Sequence, residues 1–92
     1  MQKVTFFYLP GCPYCRQANL ALDELVKENP EYGKVEFERI DESRNAEKAA
    51  AYDYYNVPAM FIGNEKIYEA HPGESAKEAR ANVENVLKKA LS

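Results

Sequence analysis

Apolar residues fall along this chain in two patterns, short continuous runs and helical stripes. The run at residues 4–9 is almost entirely apolar or aromatic and ends at Pro10-Gly11, which predicts a strand buried on both faces of a sheet. Over residues 13–28, apolar side chains recur at intervals of three and four, which predicts an amphipathic helix. Pro13 suits the first position of that helix, because its missing N–H would have no partner there.

The second half of the chain repeats this alternation in shorter pieces. Apolar and polar residues alternate over residues 35–40, which predicts a second strand, and the alanine run within 44–54 favours a short helix. Two more strands are predicted at 59–62 and 65–70, because Gly63-Asn64 between them is typical of a tight hairpin turn.

A last helix is predicted from residue 76 onward, since Ser75 and Glu78 have the spacing of a capping box. The predicted order is therefore β-α-β-α-β-β-α. The first strand–helix–strand unit should cross over right-handed and pair in parallel, whereas the hairpin adds an antiparallel pair. We expect an α/β fold with a four-stranded mixed sheet and three helices on its two faces.

The length and the net charge of the chain bear on the number of domains and on the expected partners. Ninety-two residues predict one domain spanning 1–92. Asp and Glu number 15 against 12 Lys and Arg, a formal net charge of -3. Phosphate binding favours a basic face, so nucleic acid is not an expected partner.

The apolar start of the chain is too short for a secretory signal or a membrane span. We therefore expect a cytoplasmic protein that does not bind membranes. A monomer is the expected state.

The chain has two cysteines, Cys12 and Cys15, and only two residues separate them. A structural disulfide across so short a loop would remove little entropy from the unfolded chain, and a reducing compartment would not maintain it. Both cysteines lie where a strand gives way to a helix. With Cys12 at the N-cap and Cys15 at the third helical residue, both side chains would lie on one turn, where the helix N-terminus favours a thiolate.

These positions predict a redox pair in which each cysteine has a role. Cys12 would attack a substrate disulfide because it precedes the helix and is the more exposed of the two. Cys15, one turn further in, would then resolve the mixed disulfide. The alternative is half of a zinc or iron–sulfur site, but a tetrahedral site needs two more ligands and the chain offers only His71, so a second subunit would be required. We predict no metal and no bound cofactor.

The motif Cys12-Pro13-Tyr14-Cys15 after a strand, followed by Val57-Pro58 before a hairpin, resembles the thioredoxin superfamily and within it the glutaredoxins. The resemblance extends over essentially the whole chain and implies a thioredoxin fold. It also implies that Pro58 is a cis-proline facing the sulfurs, that the Val57 backbone pairs with an extended substrate, and that Pro13 and Tyr14 contribute to substrate binding. The implied activity is reduction of protein disulfides or glutathione mixed disulfides, with glutathione as a candidate co-substrate.

Two segments depart from the pattern with which glutaredoxins bind glutathione. The family usually has a Lys or Arg where this chain has Leu9, and a Gly-Gly followed by a polar pair where this chain has Ala70-His71-Pro72-Gly73-Glu74-Ser75. Loss of the cation and gain of Glu74 would both oppose an anionic tripeptide. The alternative within the same superfamily is a thioredoxin-like reductase that receives electrons from a thioredoxin reductase, although the chain lacks the Trp that thioredoxins usually carry before the first cysteine.

Overall fold

The computed structural model of the chain describes all 92 residues. Its elements, in chain order, are β1 Val4–Tyr8, α1 Pro13–Glu28, a 3₁₀ helix Pro30–Lys34, β2 Phe37–Asp41, α2 Ala46–Ala50, β3 Ala59–Ile62, β4 Glu65–Glu69 and α3 Ala76–Leu91. The predicted order β-α-β-α-β-β-α is confirmed.

The four strands form one mixed sheet in the order β2-β1-β3-β4. β1 is parallel to β2 and antiparallel to β3, and β3 forms an antiparallel hairpin with β4. In the β1–β3 register, Phe7 lies opposite Ala59. This pairing brings the segment that precedes β3 to the end of β1 from which the cysteine motif begins.

Phe6 and Phe7 are adjacent in β1 and point to opposite faces of the sheet, as the period of a strand requires. Both are fully buried. Phe6 packs in the larger core, with apolar residues of α1 and α3, and Phe7 packs in a smaller core that includes Ala49 of α2. The predicted strand buried on both faces is confirmed, as is the placement of helices on both sides of the sheet.

The predicted starts of the two long helices are also confirmed. Cys12 is the N-cap of α1 and Pro13 is its first residue. At α3, Ser75 Oγ accepts a 3.1 Å hydrogen bond from the Glu78 N–H, and Glu78 Oε1 accepts one of 3.0 Å from the Ser75 N–H. No helix in the chain has the length and apolar character needed to cross a lipid bilayer.

Two predicted elements differ from the structure by two residues or more at a boundary. α2 has only five residues rather than the eleven of 44–54, because Tyr52 and Tyr54 turn back onto the sheet, each with its ring centroid 4.9 Å from that of Phe7. β2 begins at Phe37, two residues later than predicted. The Val35 N–H instead donates to the Tyr32 carbonyl and closes the 3₁₀ helix.

Candidate active site

Cys12 and Cys15 occupy the first turn of α1, at the end of β1. Cys12 is the extended N-cap, and its carbonyl accepts the first helical hydrogen bond, from the Arg16 N–H at 3.0 Å. Gly11 before it has a φ of 79°, a left-handed conformation that glycine adopts without strain. Both cysteines are free thiols. The arrangement places two sulfurs on one turn at the positive end of a helix dipole.

The two thiols differ in exposure. Cys12 is half-buried, whereas Cys15 is only 3% exposed. Burial is the largest cause of a rise in the pKa of Cys15 to about 12, while a backbone hydrogen bond with Leu9 acts in the opposite direction. The negative charge of Glu42 also contributes to the rise. Cys15 is therefore a neutral thiol near pH 7 in the reduced protein.

The segment Val57-Pro58 lies across from Cys12. The Val57–Pro58 peptide bond is cis, as the family resemblance implied. Cys12 Sγ is 3.9 Å from the Val57 carbonyl oxygen, a weak S–H···O contact. Pro58 is buried, and its carbonyl accepts a 3.0 Å hydrogen bond from the Ala70 N–H. The structure thus brings the two sequence-predicted segments, 45 residues apart, together at one site.

A groove beside this site contains several of the residues singled out in the sequence. Its lining includes residues from three parts of the chain, namely Leu9 and Tyr14, Glu42, and Tyr55, Val57 and His71. We call it the active-site groove.

Pro13 does not line the active-site groove. This exposed residue lines a second depression, between α1 and α3, together with Arg16 and Leu20.

Tyr14 joins the cysteine motif to the loop between β4 and α3. The Gly73 N–H donates a 2.7 Å hydrogen bond to Tyr14 Oη. One helical turn further, Gln17 Nε2 donates to the Glu74 carbonyl at 3.0 Å. The loop at residues 71–75 is therefore fastened to the start of α1 at two points, and Tyr14 forms part of the wall of the active-site groove.

The expectation that Glu74 would oppose an anionic ligand at this site is wrong, because Glu74 does not line the groove. Its side chain is only 4% exposed. Glu74 Oε1 accepts a 2.5 Å hydrogen bond from Tyr68 Oη, and Oε2 accepts one of 3.0 Å from Asn82 Nδ2. Burial, and then the hydrogen bond to Glu74, raises the pKa of Tyr68, so the phenol keeps the proton that it donates. Glu74 anchors the loop 71–75 to β4 and α3.

Glu42 is the groove residue that sequence reasoning missed. It directly follows β2, and its N–H donates to the Tyr8 carbonyl at 3.0 Å, so it lies at the same edge of the sheet as the cysteines. Glu42 Oε1 accepts a 2.6 Å hydrogen bond from Tyr54 Oη, while Oε2 accepts none within the chain. The position of Glu42 directly after a strand could have indicated this placement, because the carboxyl ends of neighbouring parallel strands lie side by side.

The three tyrosines before Val57 differ in their surroundings. Tyr52 and Tyr54 pack on the sheet, whereas Tyr55 is 91% exposed on the groove rim. His71 lies in an exposed loop and also lines the groove. Its hydrogen bond with the Pro72 carbonyl, and then that with Glu78, raises its pKa. The chain brings no three His, Cys, Asp or Glu side chains together in a way that could hold a metal ion.

One family model and several known proteins resemble this chain. The family model of glutaredoxin matches residues 4–67. A "Probable Thioredoxin" of Methanothermobacter marburgensis is 37% identical over 71 residues, which cover 77% of this chain and 81% of the relative. The "Thioredoxin" of Methanocaldococcus jannaschii is 31% identical over 74 residues, covering 80% and 85% of the two chains.

Solved structures of thioredoxins share the fold at lower identity. The thioredoxin of Fasciola hepatica superposes with a TM-score of 0.61 at 23% identity, over 96% of this chain and 79% of its own. Thioredoxin 1 of Thermosipho africanus gives a TM-score of 0.58 at 20% identity, over 98% and 99% of the two chains. With two cysteines at CxxC spacing on the first turn of α1, this chain belongs to the glutaredoxin family of thioredoxin-fold proteins and is a thiol–disulfide oxidoreductase.

Proposed function

We propose that this chain reduces disulfide bonds in polypeptide substrates by dithiol exchange, with Cys12 as the nucleophile and Cys15 as the resolving thiol. The observation that carries this assignment is the difference in exposure between two thiols on one helical turn. Cys12 is half-buried and accessible, whereas Cys15 is 3% exposed. An incoming disulfide therefore reaches Cys12 first.

The reaction proceeds in two exchange steps. The Cys12 thiolate attacks one sulfur of the substrate disulfide, forming a bond to it, and the other sulfur leaves as a thiolate that takes up a proton. Cys15 then loses its proton and attacks Cys12 Sγ. This second step forms the Cys12–Cys15 disulfide and releases the remaining substrate sulfur as a thiol. Two electrons pass from the protein to the substrate.

The surroundings of Cys12 support binding of an extended chain. The Val57 carbonyl is 3.9 Å from Cys12 Sγ and lies on the wall of the active-site groove. The backbone of Val57 would pair with the main chain of the substrate, as strands do at a sheet edge, and Tyr14 lines the same groove. In this proposal Val57, Pro58 and Tyr14 position the substrate. Pro13 lies on the other side of the motif, at the exposed helix start.

The oxidised protein is returned to the dithiol by an external reductant, which we propose to be a protein dithiol or a thioredoxin reductase rather than glutathione. Glutathione carries a net negative charge near neutral pH. The groove in which it would bind contains the apolar side chain of Leu9 and the carboxylate of Glu42. A carboxylate close to an anionic ligand is unfavourable, and the groove is only partly screened by solvent.

Insulin reduction with three electron donors tests both parts of the proposal. Dithiothreitol should support insulin reduction, and so should a thioredoxin reductase with NADPH. Glutathione with glutathione reductase should give little activity, both with insulin and with hydroxyethyl disulfide as a second substrate. The matched control is Cys12→Ser, which should give only the uncatalysed background. Efficient turnover with glutathione would show that the donor assignment is wrong. Absence of catalysis above the Cys12→Ser background with every donor would refute disulfide reduction itself.

A further inference from the structure

Glu42 lines the active-site groove, and one of its two carboxylate oxygens has no hydrogen-bond partner in the chain. Its Oε1 is occupied by Tyr54 Oη at 2.6 Å, and Oε2 accepts no hydrogen bond in the chain. The ring of Tyr54 is stacked on Phe7, with centroids 4.9 Å apart and an interplanar angle of 22°. The hydrogen bond to this packed aromatic side chain therefore fixes the orientation of the Glu42 carboxylate.

The position of this carboxylate is set by the sheet. Because β1 and β2 are parallel and in register from Val4↔Phe37 to Tyr8↔Asp41, Glu42 follows β2 at the edge where Leu9 follows β1. Glu42 and Val57 both line the active-site groove. A substrate strand paired with Val57 would therefore carry the residues next to its cysteine past Glu42.

We infer that Glu42 selects among disulfide substrates, favouring those with a Lys or Arg beside the reacting cysteine and disfavouring those with Asp or Glu there. This inference rests on the proposed function and adds the substrate class. A half-buried carboxylate with one free oxygen offers a substrate cation a charge-assisted hydrogen bond. The same charge repels an acidic neighbour, so it discriminates in both directions.

A second effect of Glu42 acts on the thiol that resolves the mixed disulfide. Its negative charge is one of the causes that raise the pKa of Cys15, after burial and the contribution of Cys12. A substrate cation paired with Glu42 would neutralise that charge, which makes it easier for Cys15 to lose its proton. A cationic substrate would thus be favoured in the resolving step as well as in binding.

The test uses pre-reduced protein in a single turnover, so that no electron donor is involved. Three quenched fluorescent peptide disulfides are compared, identical except that the residues flanking each cysteine are Lys, Ser or Glu. The wild-type protein should reduce the Lys peptide about tenfold faster than the Glu peptide at low ionic strength, with Ser between them. In Glu42→Gln, whose amide oxygen can still accept from Tyr54, the ratio should fall to about twofold or threefold.

The matched control is Glu65→Gln, which removes one negative charge at the other end of the sheet. Glu65 is exposed and lies opposite Ile62 in the β3–β4 hairpin. Ile62 in turn lies opposite Val4, the first residue of β1, so Glu65 is at the end of the sheet away from the cysteines. This variant should keep the wild-type ratio. An unchanged ratio in Glu42→Gln, or an equal fall in both variants, would overturn the inference while leaving the proposed function intact. No reaction with any peptide would instead count against the proposed function.

Discussion

The carboxylate of Glu74 lies 2.5 Å from the phenol oxygen of Tyr68, and each of these residues is only 4% exposed. A buried carboxylate is expensive unless its oxygens are hydrogen-bonded. Here Tyr68 serves one oxygen and Asn82 the other. The pair holds the loop 71–75 in place, and that loop in turn contacts the start of α1 through Tyr14 and Gln17.

Glu74→Ala should lower the free energy of unfolding by about 3 kcal/mol, because it leaves the buried Tyr68 hydroxyl without its acceptor and also removes packed methylenes. Glu74→Gln should cost about 1 kcal/mol, since an amide can still accept from Tyr68. Urea unfolding of the two variants and the wild type measures the difference. Equal losses in both variants would show that the hydrogen bonds of Glu74 contribute little.

Tyr14→Phe should loosen the attachment of the loop at residues 71–75 to the cysteine motif. The variant keeps the aromatic ring but removes the oxygen that accepts from the Gly73 N–H. We expect a loss of stability of about 1 kcal/mol and a higher KM for a polypeptide disulfide, because Tyr14 also lines the active-site groove. Steady-state insulin reduction with dithiothreitol, together with urea unfolding, measures both quantities. An unchanged KM would argue that the Tyr14 hydroxyl has no part in substrate binding.

The burial of Cys15 predicts how the stability of the reduced protein depends on alkaline pH. Its pKa is raised from 9.0 to about 12 in the folded state, so between those values the unfolded chain loses the thiol proton while the folded chain keeps it. Deprotonation then favours the unfolded state, and the free energy of unfolding falls as the pH rises from about 9 towards 12.

Cys15→Ala is the matched variant for this pH dependence. The raised pKa values of Tyr54 and Tyr68 act in the same direction, but both tyrosines remain in the variant, and the main causes of their shifts, burial and hydrogen bonds to Glu42 and Glu74, do not involve Cys15. Urea unfolding of reduced wild type and Cys15→Ala should therefore give a steeper decline for the wild type between pH 8.5 and 10.5. Parallel curves would contradict the burial of the thiol.

The capping box of α3 predicts a loss of about 1 kcal/mol for Ser75→Ala. The substitution removes the Oγ that accepts from the Glu78 N–H, while leaving the rest of the helix unchanged. Ser92→Ala serves as a comparison, because it removes the exposed serine hydroxyl that donates to the Lys89 carbonyl at the opposite end of the same helix. A midpoint of urea unfolding for Ser75→Ala that matches the wild type would show that the cap does not stabilise α3.

The features that the sequence predicted well depend on neighbours along the chain. The N-cap at Cys12, the first helical residue Pro13 and the capping box of Ser75 with Glu78 each follow from residues within one turn. The alternation of Phe6 and Phe7 between two cores follows from the period of a strand. Local signals of this kind placed the cysteine pair at the start of a helix.

The features that were mispredicted depend on contacts between distant elements. α2 ends early because the rings of Tyr52 and Tyr54 pack on Phe7, some 45 residues before them in the chain. Glu74 is buried because β4 and α3 bring Tyr68 and Asn82 to its two oxygens. A charged residue in a polar loop gives no sign of such partners, since its composition is that of an exposed turn.

The central claim is that Cys12 attacks the substrate and Cys15 resolves the mixed disulfide. Its most direct test is mass spectrometry of Cys15→Ser and Cys12→Ser after each reduced variant is mixed with a peptide disulfide. The account predicts that Cys15→Ser accumulates one peptide in disulfide linkage to Cys12, because no thiol remains to release it, and that Cys12→Ser remains unmodified over the same time. Equal or faster capture of the peptide by Cys15 in the Cys12→Ser variant would contradict it.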